Sequence, residues 1–341
     1  MARTQHITIT DVAEQAGVSI QTVSRVINNR PEVSPETRQR IQATINELGY
    51  QPFVNARGLA AKRTYTLGLV TADFSDFWFS HVVTGAEKEA QKRGYCFMLG
   101  NSTCDPEDEP IFLKLLTERH VDGILFVRGN CENEYNHLLR LSEFGVPVVT
   151  TGHHLPDVGL SMVDVNNVGG GYKATEYLIG LGHNQIAMIT GPSDWKSVND
   201  RSEGYLQALQ TAGISADQDL ILEGSWLHQN GYEKTKLLLE RSKPFTAIFA
   251  HNDRIARGAI HALYEAGFKV PDDFSVIGYD DIPEAEFSDP PLTTIRQPMD
   301  EIGQAATNLL IKMIEDLIVT PEQIMFETTL IVRSSCRPIN A

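Results

Sequence analysis

Across residues 9–27, apolar positions recur at three- and four-residue spacing in two short bursts separated by Ala16-Gly17-Val18. Val12, Ala13 and Ala16 form the first stripe, and Val23, Val26 and Ile27 form the second. The pattern predicts two short helices broken at the glycine. Thr8, three residues before Asp11, gives the first a capping-box start, and Ser19 can cap the second. A third helix opens at Ser34-Pro35-Glu36, which supplies a capping hydroxyl, a proline at the first helical position and an acid in the first turn. Ile41, Ile45 and Leu48 are its stripe, and Gly49 ends it. Residues 1–50 therefore read as a small all-α head. Residues 51–63 follow as a linker with a weak helical pattern, weakened further by Gly58, which costs roughly 1 kcal/mol against alanine.

The pattern changes from Thr66 onward. Short apolar runs at 67–71, 95–100, 123–127 and 146–151, then at 185–190, 220–222, 246–250 and 275–279, alternate with helical patterns such as 79–93, 168–182, 201–213 and 254–267. Strands alternating with helices at this spacing predict parallel sheets covered on both faces. The eight runs fall into two groups of four, which predicts two doubly wound, Rossmann-like lobes rather than one long sheet.

The outward face of the second helix carries Ile20, Gln21, Thr22, Ser24, Arg25 and Asn28, with no acid. One reading is a solvated face on a helical hairpin. The other is base recognition in a major groove, with arginine bidentate to guanine, glutamine or asparagine to adenine, and Ile20 against a thymine methyl. Charge bears on the choice. The net charge of the 341-residue chain is −15, yet residues 1–63 hold eight Lys/Arg against five Asp/Glu. A modestly basic head on an acidic body suits DNA contact confined to the head.

At 42% hydrophobic and 21% charged residues, the composition is that of an ordinary globular protein. No apolar run approaches the ~20 residues that span a bilayer, and the polar start MARTQHITIT lacks the apolar stretch of a secretion signal. A cytoplasmic, nucleoid-associated protein without membrane contact is expected. Cys96, Cys104, Cys131 and Cys336 show no CxxC pairing, in keeping with free thiols. The chain has no Walker A sequence, no GxSxG and no GxGxxG opening a βαβ unit. Asp280-Asp281 imitates a glycosidase dyad, but adjacent side chains seldom flank one bond at the separation that chemistry needs. No enzyme, cofactor or metal is expected.

The run DVAEQAGVSIQTVSRVIN, with VSPETRQRI and GYQPFVNARGLA after it, closely resembles the head of the lactose/galactose repressor family. VDGIL, LGHNQIAMITGP, RSEGYLQAL, HNDRIARGA, VPDDFSVIGYDD and PPLTTIRQPMDEIG extend the resemblance over nearly the whole chain. It implies a core like periplasmic sugar-binding proteins, with crossovers near 161–164, 290–294 and 324–328. One lobe would comprise 64–162 with 294–326, and the other 163–293 with 327–341. Helix 299–318 would return to the first lobe, and a last strand near 325–332 would rejoin the second. It also implies a homodimer on a pseudo-palindromic operator. Segment 51–63 would become a helix on DNA that levers the minor groove open, with Ala56, Arg57 and Leu59 at the duplex. Gln21 and Arg25 would choose sequence and Ile20 tune it. Thr10, Ser19, Thr22, Ser24, Asn28, Ser34, Thr37 and Tyr50 would position the backbone.

Ligands bind beyond the carboxyl ends of parallel strands. Asp73, Arg128, Asn252, Asp253, Asp280 and Asp281 stand there, with Phe74, Phe77, Trp78, Trp195 and Trp226 as aromatic neighbours. Carboxylates, an arginine and flat rings suit a sugar. The resemblance adds Arg201, so the expected effector set is Phe77, Trp78, Arg201, Trp226, Asn252, Asp253 and Asp280. Asp253 also reads as a helix cap, Asp281 as a turn former, and Trp78 as core or dimer surface. Gly152-His153-His154 departs from relatives that carry an acid or arginine there, and two adjacent histidines diverge too far on a strand to bind one metal. The expected function is a repressor released from its operator by a small sugar-like effector. The alternatives are a purine- or nucleoside-corepressed regulator or an activator and, less in keeping with the head, a solute-binding protein.

Overall fold

The computed structural model describes residues 7–27, 29–50, 63–71, 73–101, 108–127, 145–152, 159–241, 243–317 and 320–339. The chain divides into two compact units, Met1–Tyr65 and Thr66–Ala341.

In the first unit, α1 (Ile9–Ala16), α2 (Ile20–Ile27) and α3 (Pro35–Leu48) pack around Val12, Ala13, Ala16, Val23, Val26, Val33, Ile41 and Tyr50. The capping box at α1 is complete: the Asp11 carboxylate accepts the Thr8 N–H at 2.7 Å, and the Thr8 hydroxyl accepts the Asp11 N–H at 3.4 Å. Gly17, at φ 66°, ends the helix in the left-handed region, where a Cβ would be strained. Arg38 on α3 donates to the Val26 carbonyl at 3.4 Å and to Asn29 Oδ1 at 3.1 Å, so α3 clamps the turn that leaves α2.

Among the described residues the second unit contains two six-stranded sheets. The elements of its first part are β1 (Thr66–Thr71), α4 (Phe77–Lys92), β2 (Cys96–Asn101), α5 (Asp108–Glu118), β3 (Gly123–Val127), β4 (Val148–Thr151) and β5 (Ser161–Val165). Then come α6 (Asn167–Gly180), β6 (Ile186–Ile189), α7 (Lys196–Thr211), β7 (Ile221–Leu222), α8 (His228–Glu240), β8 (Ala247–Ala250), α9 (Asp253–Glu265) and β9 (Ser275–Asp280). The chain finishes with α10 (Pro283–Glu286), β10 (Thr293–Arg296), α11 (Met299–Ile314), β11 (Gln323–Phe326) and β12 (Thr329–Ile331). Strand order is β11-β5-β4-β3-β1-β2 in one sheet and β12-β10-β9-β8-β6-β7 in the other. Every pair is parallel except β10 with β12. The central strands β3, β4 and β8 are buried throughout, as a sheet with helices on both faces requires. Among the described residues no helix is long and apolar enough to cross a membrane.

The chain passes between lobes after β5, after β10 and after β11. The first sheet keeps 163–165, expected in the second lobe, and the second sheet keeps 294–296, expected in the first. A strand runs its full register before the chain leaves its sheet, so each crossover falls just after a strand rather than inside one. The single strand expected near 325–332 is two, β11 in the first sheet and β12 in the second, with Glu327 and Thr328 between them. Glu327 accepts from Asn166 at 2.9 Å, which ties the first crossover to the third.

Helix α7 begins at Lys196, not at the expected 201, so Arg201 stands in its second turn. Its placement depends on glycine. A Cβ on Gly171 of α6 would lie 2.2 Å from the Arg201 carbonyl oxygen, and one on Gly204 would lie 2.1 Å from the Val168 carbonyl oxygen. The two backbones therefore touch, and nothing larger fits between them. Gly204→Ala is expected to destabilise the core by ~1–3 kcal/mol in denaturant unfolding, as overpacking does. A stability equal to wild type would show that the helices can part at no cost.

Candidate functional sites: the second helix of the head and the interlobe cavity

On α2, Ile20, Gln21 and Arg25 are exposed, Thr22 and Ser24 are half-buried, and the first turn has no acid. Ser19 caps the helix: its Oγ accepts the Thr22 N–H at 3.2 Å, and the two hydroxyl oxygens are 2.9 Å apart. Ser34 repeats the arrangement at α3, accepting the Thr37 N–H at 3.3 Å and donating to the Thr37 hydroxyl at 2.9 Å. Thr10 is exposed on α1. Tyr50, expected at a DNA backbone, is buried in the head core and only 6% exposed, because its ring closes the gap between the helices. Asn28, Ala56, Arg57 and Leu59 lie outside the described residues, as do Arg128, His153 and His154.

Between the lobes of the second unit is a cavity of about 500 Å³ at the carboxyl ends of both sheets. Of the seven effector residues expected, Trp78, Arg201, Trp226, Asn252 and Asp280 line it. Phe77 and Asp253 do not. Phe77 stacks on His81, with ring centroids 4.2 Å apart, and packs against the core of the second lobe. Asn252 takes the N-cap of α9, its Oδ1 accepting the Ile255 N–H at 2.7 Å. Asp253 is consequently the first helical residue and wholly buried, accepting from the Thr294 hydroxyl at 2.6 Å and the Ile282 N–H at 2.8 Å. It fastens α9 to β10 and to the turn after β9. Asp281 is likewise structural, paired with Arg296 at 2.6 Å and Arg333 at 2.7 Å.

The cavity also gathers Asp76, Phe79, Asp164, Asn167, Arg254 and Gln297, which the strand-end reading did not single out. Asp76 is the N-cap of α4 and accepts the Trp78 N–H at 2.9 Å, so local sequence gives it a sufficient structural role. Asp164 and Gln297 belong to β5 and the residue after β10, short strands with little periodic signal. The chain's three tryptophans, Trp78, Trp195 and Trp226, all line the space. Trp195 meets Trp226 edge-on at 5.4 Å and Phe79 at 6.3 Å. The buried indole N–H of Trp226 has no hydrogen-bond partner among the described residues.

Arg201 organises the floor. Its Nε donates to Asn167 Oδ1 at 2.9 Å, a second nitrogen donates to the His251 carbonyl, and its guanidinium lies 3.8 Å from the centroid of the Tyr279 ring. The Tyr279 hydroxyl completes the set with a 3.2 Å bond to Asn167. Asp280 stands 4.0 Å from the guanidinium, at φ 107°. It accepts from Gln297 Nε2 at 2.7 Å, while Gln297 Oε1 accepts from the Trp78 indole at 3.0 Å. One glutamine thus links a ring of the first lobe to an acid of the second. Arg254 also bridges the lobes, 3.7 Å from Asp76 and 3.4 Å from the Ser75 carbonyl. Among the described residues no group of His, Cys, Asp and Glu is placed to hold a metal.

Burial governs the protonation states. It pushes Asp280 up to about 7, with Arg201 opposing the rise and Asp76 adding to it. Asp76 is raised by burial against the pull of Arg254. Asp253 is raised well above its ordinary value by burial and by Asp280. His251 is held well below its ordinary value by burial and by Arg201, so its ring is neutral.

A three-helix head with a capped, acid-free recognition face, joined to two Rossmann-like lobes around a ligand-sized cavity, defines a ligand-responsive class of DNA-binding transcription regulator. Comparison narrows it. Residues 8–52 match the model of the bacterial regulatory proteins of the lacI family, and 175–336 match a periplasmic binding protein-like domain. The chain is 36% identical to the HTH-type transcriptional regulator DegA of Bacillus subtilis, over 98% of this chain and 99% of that protein. It is equally identical to the regulator CelR of Thermobifida fusca, over 98% and 100%. Among solved structures, a lac repressor dimer bound to operator and the anti-inducer ONPF superposes with a TM-score of 0.90 at 27% identity, over 98% of this chain and 100% of that one. The chain belongs to the LacI family, and it is a DNA-binding transcription regulator, not an enzyme.

The Asp280 shift has a consequence for stability. Between its ordinary value of 3.8 and about 7 the folded protein holds a proton that the unfolded chain has lost. The stability this contributes is complete below pH 3.8 and is lost as pH rises through about 7. Asp280→Asn abolishes that loss. Its stability relative to wild type should therefore improve by at least ~1.4 kcal/mol, the worth of one pKa unit, between pH 5 and pH 8. A difference that stays constant across that range would contradict the placement of Asp280.

Proposed function

We propose that this regulator is a repressor that binds a pseudo-palindromic operator as a homodimer and releases it when a small sugar occupies the interlobe cavity. The observation that carries the ligand class is the lining itself. Carboxylates and amides accept and donate to vicinal hydroxyls, while the indole faces of Trp78, Trp195 and Trp226 suit the C–H faces of a sugar ring. Two similar structures carry sugars. One is a CelR–cellobiose complex, with a TM-score of 0.75 at 35% identity, over 96% of this chain and 99% of that one. The other is a LacI-family regulator from Enterococcus faecium with bound ribose, with a TM-score of 0.72 at 30% identity, over 81% and 100%. The negative sign of regulation is supported by relatives such as the transcriptional repressor PurR of Histophilus somni, 36% identical over 97% of this chain and 99% of that protein.

Trp78, Arg201, Trp226, Asn252 and Asp280 would hold the effector. Because the lining comes from both lobes, a ligand touching both has different affinities for different lobe arrangements and shifts the balance between them. Gln21 and Arg25 would read base edges, with Ile20 against a methyl group. Ser19, Thr22, Ser24, Ser34 and Thr37 would set the register on phosphates. Segment 51–63, with Arg57 and Leu59, would carry the change between core and head. A nucleobase corepressor is the second reading, because the adjacent indoles of Trp195 and Trp226 stack a base as well as a sugar.

A thermal-shift screen of free sugars, purines and nucleosides tests the ligand class, since a compound that binds only the folded core raises its melting temperature. A free-sugar hit that also lowers operator affinity is expected. A hit confined to purines or nucleosides that strengthens operator binding would establish the second reading. Arg25→Ala should weaken specific operator binding by ~1–3 kcal/mol and leave the thermal shift intact. Unchanged operator affinity would remove Arg25 from base recognition.

A further inference from the structure

The charges around the cavity are unequal. Asp73, Asp76 and Asp164 from the first lobe and Asp280 from the second face two guanidiniums, those of Arg201 and Arg254. No lysine or histidine joins them among the described lining residues. Each guanidinium already faces one of these acids: Arg201 stands 4.0 Å from Asp280, and Arg254 3.7 Å from Asp76. The acids crowd one another across the lobes: Asp76 is near enough to Asp280 to oppose its ionisation, and Asp73 does the same to Asp76. A hydroxyl or an ammonium entering this space can donate to these carboxylates, whose oxygens each accept more than one hydrogen bond. A phosphate or carboxylate brings only acceptors and adds negative charge where water screens it least.

We propose that the cavity takes uncharged or amine-bearing sugars and excludes phosphorylated or acidic ones. The ligand class rests on the sugar reading above, while the charge rule rests on the acids that outnumber the guanidiniums, Asp280 adding its charge as pH rises through about 7.

Because every tryptophan of the chain lines the cavity, fluorescence quenching of the full-length protein reads its potential directly. At constant ionic strength, the ratio of caesium to iodide quenching should exceed that of a free tryptophan amide, and Asp76→Asn should lower the ratio. Matched ligands supply the second arm: glucose, glucosamine, glucose 6-phosphate and glucuronate; cellobiose and its 6-phosphate; adenosine and its 5′-monophosphate. Any neutral or amine-bearing compound that binds should lose at least ~10-fold in affinity on gaining phosphate or carboxylate. A caesium-to-iodide ratio at or below that of the free tryptophan amide would overturn the proposal, as would tighter binding of an anionic member than of its parent. Adenosine binding without its monophosphate, and with no sugar bound, would keep the charge rule and remove the sugar reading.

Discussion

The guanidinium of Arg201 is carried into the second lobe until only 5% of the residue meets solvent, and the surrounding structure answers for that charge. A buried cation is tolerated only where hydrogen bonds and counter-charge replace its hydration. Asn167, the His251 carbonyl and the Tyr279 ring supply most of this, and Asp280 adds nearby negative charge as it ionises. They come from three parts of the lobe: Asn167 opens α6, His251 follows β8, and Tyr279 and Asp280 end β9. The glycine contact between α6 and α7 sets the depth of the arginine, and so the floor of the cavity. Losing one partner would leave charge stranded in the interior, which makes the floor rigid and leaves adjustment to the walls.

The walls are where the lobes meet. Asp76 and Arg254 make one bridge, and Trp78, Gln297 and Asp280 make the other. Both consist of polar side chains at strand and helix ends, which exchange partners at low cost, whereas the packed sheets beneath them do not deform continuously. A ligand that competes for Asp76, Asp280 or Gln297 therefore acts on the joint between two stiff bodies.

Much of this was legible in the sequence because it rests on periodicity and local capping. The head helices followed from their apolar stripes, Thr8, Ser34 and Gly49, and the central strands from their apolar runs. Trp78, Trp226, Arg201, Asn252 and Asp280 followed from strand ends and from resemblance. The edge strands did not. Gln323–Phe326 and Thr329–Ile331 are short and half-exposed, so their pairing is decided by distant partners and leaves no local pattern. Phe77 and Asp253 misled because a strand-end position does not fix which way a side chain goes. Asn252 capped the helix and sent Asp253 into the core, and Phe77 turned to His81. Asp76 was hidden for the opposite reason: it has an ordinary capping role, and only the fold brings it, and Gln297 after a short strand, to the cavity.

The central claim is that the cavity and the operator draw on one conformational equilibrium. If they do, the factor by which effector changes operator affinity must equal the factor by which operator changes effector affinity. The direct measurement is the dissociation constant of the effector, followed by tryptophan fluorescence, with and without saturating operator DNA. The account predicts a change of at least ~5-fold, equal in size to the reciprocal effect on operator binding. An effector affinity indifferent to operator would contradict it and leave the two sites energetically separate.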